Sequence, residues 1–124
     1  MMQSSAIPPQ AADRFARAFA EFVTCVRTAL ALAPPEHPDV SRWQRKALPL
    51  LGSDLERVDA ATKTYMAGDS QPLVHEASSA LSLAKNLDGF PLNFAGEETG
   101  SRLSEKLRLV VMAAWQVVSA AGRG

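Results

Sequence analysis

The sequence predicts an all-α fold: one domain, an antiparallel bundle of four long helices plus one short helix. Three observations point there. Apolar residues recur at spacings of three and four in every substantial segment, which is the period of one helix face. Short joints carrying proline and glycine separate those segments. Each segment also has an apolar side that must be hidden from water, and a bundle hides all of them at once. A chain of 124 residues suits a single domain and is long enough to bury a core without disulfides or metal. The bundle is expected over residues 9–121, with loose tails at 1–8 and 122–124.

The first helix is predicted over about 10–33. Pro9 suits a first turn, where a missing N–H costs nothing. Phe15, Phe19, Phe22, Val26, Leu30 and Ala33 form its inner stripe. Asp13, Arg17 and Glu21 lie off that stripe at i,i+4 spacing, worth a few tenths of a kcal/mol per pair. The stretch "PPEHP" ends it. A short helix follows over about 39–48, with Val40, Trp43, Ala47 and Leu50 inward and Pro49 predicting a stop or kink near Leu48. Gly52 then reads as a break and Ser53 as a cap for a third helix over about 54–67. Its expected inner face is Leu55, Val58, Thr62, Tyr65 and Met66, and Gly68 closes it. The fourth helix, about 71–87, starts after a Ser70 cap and turns Leu73, Ala77, Leu81, Ala84 and Leu87 inward, up to Gly89. In "FPLNFAGEETG" the alternation of Phe90, Leu92 and Phe94 suggests a strand. No partner strand exists to satisfy its backbone, so the segment reads as a loop that caps the bundle or meets another copy. The last helix is expected over about 100–121, with Glu98 and Arg102 paired at i,i+4.

That last helix raises the functional question. Leu103, Leu107, Val110, Ala114, Val117 and Ala121 make one stripe, and Leu109, Val111, Met112, Trp115 and Val118 widen it to most of the circumference. Helices apolar all round are normally buried. Either this one is central, ringed by its own chain, or one side faces inward and the other meets a second protein. A small bundle encloses few positions on every side, so the second alternative is preferred. Two-fold homodimers are the commonest soluble oligomer. Thirteen basic and thirteen acidic side chains leave no net charge to hold copies apart. The same balance gives no reason to recruit nucleic acid or an anionic membrane. No segment is both long and apolar enough to span a bilayer, and the N-terminus lacks the pattern of a secretory signal. A cytoplasmic location is the expectation.

Candidate chemistry is sparse. Cys25 is the one cysteine, so an internal disulfide and a cysteine-rich metal site are excluded, and its apolar neighbours suggest a buried thiol. His37 sits in a proline-bounded loop and His75 near a helix start. Glu21, Glu56, Glu76 and Glu105 fall on different helices, but no Glu-x-x-His accompanies them, so no metal site and no cofactor are expected. Asp54, Glu56 and Asp59 read as a solvated helix start rather than an acid/base pair. The glycines at 52, 68, 89, 96 and 100 read as joints, not as a phosphate cradle. Arg42, Arg45 and Lys46 around Trp43 form the densest basic cluster, a weak nucleic-acid candidate that the acidic start of the next helix would neutralise. Arg102, Lys106 and Arg108 form a milder one.

The preferred reading is therefore non-catalytic: a small adaptor, regulatory or accessory subunit with itself, and also another protein, as partner. Its interface candidates are Phe90, Leu92, Phe94, Leu109, Met112 and Trp115, residue types favoured at binding hot spots. The competing reading is a small-molecule or enzyme pocket between helices, with Tyr65, Met66, His75, Glu76, Asn93 and Gln116 as candidate lining.

Overall fold

The computed structural model describes residues 7–87 and 90–123, with Leu48 and Arg123 described by their backbone only. The element order is α1 (Pro9–Leu32), α2 (Pro38–Pro49), a π-helical turn (Leu50–Asp54), α3 (Leu55–Met66), α4 (Gln71–Leu87) and α5 (Glu97–Arg123). The long helices form an antiparallel bundle whose neighbours run α1, α5, α4, α3 and back to α1, with α2 packed on α1 and the π turn. The core is formed by side chains from every element, among them Phe15, Phe22 and Val26 of α1, Leu73 of α4, and Leu103, Val110 and Val117 of α5. Each fully buried side chain of this size is worth roughly 1.5–3 kcal/mol relative to exposure.

Two joints differ from the sequence expectation. Pro49 and Gly52 do not separate α2 from α3. The backbone stays helical through Pro49, through the π turn and through Asp54, whose φ of −67° and ψ of −45° are helical. Proline lacks an N–H and its ring crowds the carbonyl one turn back; the wider π turn follows directly after it. Leu50 at its start is wholly buried, so tertiary packing holds the turn in place. With no helix start at this point, Ser53 has nothing to cap, and no side chain caps α3. Gly100 likewise is no joint. It lies in the first turn of α5, which starts at Glu97, so Glu97 and Glu98 sit where the helix dipole favours negative charge.

Other ends follow the sequence closely. Gly68 has φ +109°, its N–H bonds Tyr65 O at 3.0 Å, and the Asp69 N–H bonds Thr64 O at 3.1 Å. This is a Schellman termination, for which glycine is suited. At the start of α4 the carboxylate of Asp69, rather than the Ser70 hydroxyl, accepts from the Gln71 N–H at 3.1 Å. Residues 90–96 form no strand but bends and a turn. Gly89 lies outside the described residues. Ile7, placed by sequence in a loose tail, is buried, and its carbonyl accepts from the Tyr65 hydroxyl at 2.6 Å.

Candidate functional site

The ring arrangement decides what α5 shows to water. The helix packs between α1 and α4, so it is not encircled. Its stripe of Leu103, Val110, Ala114 and Val117 is buried in the bundle. The opposite side carries Met112, 49 % exposed, and Trp115, 61 % exposed. Leu109, Val111 and Val118 are half-buried along its margins. The Arg108 guanidinium lies against the Met112 sulfur at 3.5 Å and leaves the indole uncovered.

Trp115 stands between two grooves. One, of about 580 Å³, runs between α4 and α5 and is lined by Leu81, Ser82, Ala84, Lys85, Val111 and Trp115. The other lies between α5 and the start of α1, where Pro8, Ala11 and Arg14 face Trp115, Gln116 and Ala120. The small side chains Ser82 and Ala84 keep the first groove open. Trp115 is thus the crest of an apolar ridge with a depression on each side.

The rest of the predicted interface does not join this ridge. Phe94 is fully enclosed and stacks on Trp43, with ring centroids 5.3 Å apart and planes at 24°. Phe90 meets the same indole edge-on at 5.4 Å, and Trp43 Nε1 donates to Pro91 O at 2.7 Å. The aromatic loop therefore covers α2, which corrects the assignment of Phe94 to an interface with another molecule; Phe90 and Leu92 remain half-exposed and border an open cleft. Gly100 makes this closure possible. A Cβ there would lie 2.9 Å from Asn93 Cα and 2.9 Å from Leu92 O, so helix and loop meet backbone to backbone.

The basic cluster is tied to that loop. The Arg42 guanidinium sits 4.8 Å from the centre of the Phe90 ring and the Lys46 ammonium 5.9 Å from it, the geometry of cation–π contacts. Asp39 lies 3.7 Å from Arg42. Trp43 has no exposed face on which a base could stack. At the start of α3, Asp54 pairs with Arg57 and Asp59 with Lys63. Arg45 is exposed.

The six residues predicted to line a pocket do not converge. Asn93 and Gln116 line different clefts. Met66, expected inward, is 76 % exposed, and His75 is exposed on α4. The Tyr65 hydroxyl is committed to Ile7 O. Glu76 is buried with the Arg57 Nε 3.5 Å away, a pairing that lets a carboxylate sit in the interior. His37 is a helix cap: its Nδ1 accepts from the Asp39 N–H at 3.1 Å. Glu21, Glu56 and Glu105 all face solvent. Among the described residues, no group of three or more His, Cys, Asp or Glu side chains is placed to hold a metal ion.

One cleft was not foreseen. Between α1 and α5, Ala20, Thr24, Cys25 and Thr28 face Thr99, Arg102 and Lys106 across a space of about 360 Å³. Lys106 Nζ reaches across it to Glu21 Oε1 at 3.0 Å, so Glu21 serves α5 instead of its own-helix neighbour Arg17. That bond and the attraction of Glu21 raise the Lys106 pKa above its ordinary value. Burial pushes the Cys25 thiol up as well, and the charges of Arg102 and Lys106 pull it part of the way back. The signal for this cleft was present as Ala20, Thr24 and Thr28 at i,i+4 spacing, small residues that leave a furrow along α1.

Among the described residues no helix is long and apolar enough to cross a membrane. Comparison of the chain with protein-family models, with curated proteins and with solved structures finds no match.

Proposed function

We propose that this chain is a non-catalytic accessory or adaptor subunit that docks onto another protein molecule through the outer face of α5. The observation that carries the reading is the exposed pair Met112 and Trp115 on a helix whose inner stripe is already buried. Monomeric proteins tolerate scattered apolar residues, but a contiguous ridge rimmed by polar groups is characteristic of interaction sites. Tryptophan and methionine are also enriched where binding energy concentrates. The scarcity of convergent ionisable groups supports the non-catalytic half of the reading.

The test is a photo-crosslinking amino acid placed at position 112 or 115 in expressing cells, with position 59 on exposed α3 as the control. Adducts of defined mass at 112 and 115, absent at 59, are expected. If neither α5 position gives an adduct above the control, the docking role is lost.

A second reading, a small-molecule site, is supported by the α1–α5 cleft, whose volume is at the small end of the usual range for ligand pockets. Cys25 is the only thiol in the sequence, so its alkylation rate reports on occupancy. A ligand in the cleft slows that rate saturably; compounds that leave it unchanged are not occupants.

A further inference from the structure

We propose that the partner of α5 is a second copy of this chain, with the Trp115 indole of each copy seated in the α4–α5 groove of the other. The proposal rests on the docking role inferred above and names its occupant. Each copy carries both halves of the contact: a protruding indole, and beside it a groove kept open by Ser82 and Ala84. A two-fold axis close to Trp115 satisfies both halves at once, because in such an interface residue i of one copy meets residue j of the other and the reverse. A helix ridge entering the groove between two helices is the ordinary way helical surfaces pack. The groove wall also holds Lys85, whose ammonium gains the face of the incoming indole.

Size and charge fit this occupant. The uncharged stretch of α5, Leu109 to Ala121, which carries the ridge and both grooves, extends about 20 Å at ~1.5 Å per residue. With a width of about 20 Å it offers on the order of 400 Å² from each copy, the size of a weak, reversible contact. The chain has no net charge, so two copies approach without long-range repulsion. Between Arg108 and Gly122 the helix carries no acidic or basic residue, so around Trp115 the seat meets charge at Lys85 on one groove wall and Arg14 on the other.

The experiment measures mass by light scattering across a concentration series for the wild type, Trp115→Ala and Ala84→Trp. Protein labelled with 5-fluorotryptophan is followed alongside by fluorine NMR. The sequence holds two tryptophans, so the spectrum has one signal for each, assigned with Trp115→Phe. The wild type is expected to pass from monomer to dimer between tens of micromolar and millimolar concentration, with the Trp115 signal moving in step with mass and the Trp43 signal still. Both variants should raise the dimer dissociation constant by about tenfold or more, equivalent to ~1.4 kcal/mol. Trp115→Ala removes the knob, and Ala84→Trp fills the hole from within its own chain. Unchanged Trp43 signals in the variants show that the bundle is intact. A monomer up to millimolar concentration overturns the proposal. So does a dimer indifferent to both changes, or one that responds to Trp115→Ala alone, which would place the indole elsewhere. Crosslinks from position 115 to a different protein would leave the docking role standing and remove the second copy as its occupant.

Discussion

The two tryptophans of this protein sit in opposite circumstances. Trp43, on the 12-residue α2, has no exposed surface, a hydrogen-bonded Nε1, one phenylalanine stacked on it and another edge-on. Trp115, on the longest helix, is mostly exposed and stands between two grooves. Both lie on helices whose apolar residues recur with the same period. What separates them is where the neighbouring elements go. A loop folds back over α2 and cages one indole, while the ring of four helices closes behind α5 and leaves the other outside. Apolar periodicity records that a helix needs company; it does not say whether the same chain supplies it.

The contrast can be broken most directly by truncating each ring. Trp43→Ala should cost about 3–5 kcal/mol in urea unfolding, the range for a buried aromatic. Trp115→Ala should stay within about 0.5 kcal/mol in the monomer, as surface changes do. Comparable losses at both sites would abolish the distinction. The next effect is at the support of the cage. Gly100→Ala forces a methyl group against the backbone of residues 92 and 93, so a loss of about 1–3 kcal/mol is expected. It should be accompanied by a shift of the Trp43 fluorine signal and none at Trp115. Gly52→Ala sharpens the point with the opposite sign. A Cβ there meets nothing within 4 Å and the backbone is helical, so stability should rise by roughly 0.5–1 kcal/mol; a loss would mean that the π turn needs glycine.

The smallest effect concerns the α1–α5 cleft and is read by pH. Cys25 and Lys106 both hold their protons more tightly in the folded protein than in the unfolded chain. Their contributions are therefore fully present below the ordinary thiol value and are lost as pH rises through it and through the elevated folded values. The urea midpoint should fall slightly from neutral pH into the alkaline range. The alkylation rate of Cys25 should rise with an apparent pKa above that of a free thiol. A midpoint that climbs over this interval, or a thiol titrating below its ordinary value, would contradict the cleft's electrostatics. Glu21→Gln should lessen the fall, because the bond that raises Lys106 is weakened.

Much of the fold was legible from residues alone. Phe15, Phe19, Phe22 and Val26 predicted α1 and its buried face, and Gly68 predicted a termination whose backbone hydrogen bonds it makes. The joint at residues 49–54 was misread because proline and glycine are weighed locally, whereas burial of Leu50 and Trp43 holds a helix through them. The start of α5 was misplaced by three residues for a related reason: Gly100 reads as a breaker until the loop it touches is known. The candidate site was half legible. Met112 and Trp115 were marked by their apolar excess, but the enclosed Phe94 was grouped with them because a loop's direction is not written in its composition. The cleft at Cys25 was missed because its walls come from residues about 75 apart in the chain.

The amino-acid pattern by itself determined that this is a helical bundle, where most of its helices run, and that its last helix has more apolar surface than one side of a helix needs. Those are local properties, set by periodicity and by which residues tolerate a turn. Only the tertiary structure decided that α5 belongs to the ring rather than its centre, that the aromatic loop closes on Trp43, and that Trp115 is left beside an open groove. These depend on which distant segments meet, and the energy of burying a side chain is the same whichever segment covers it.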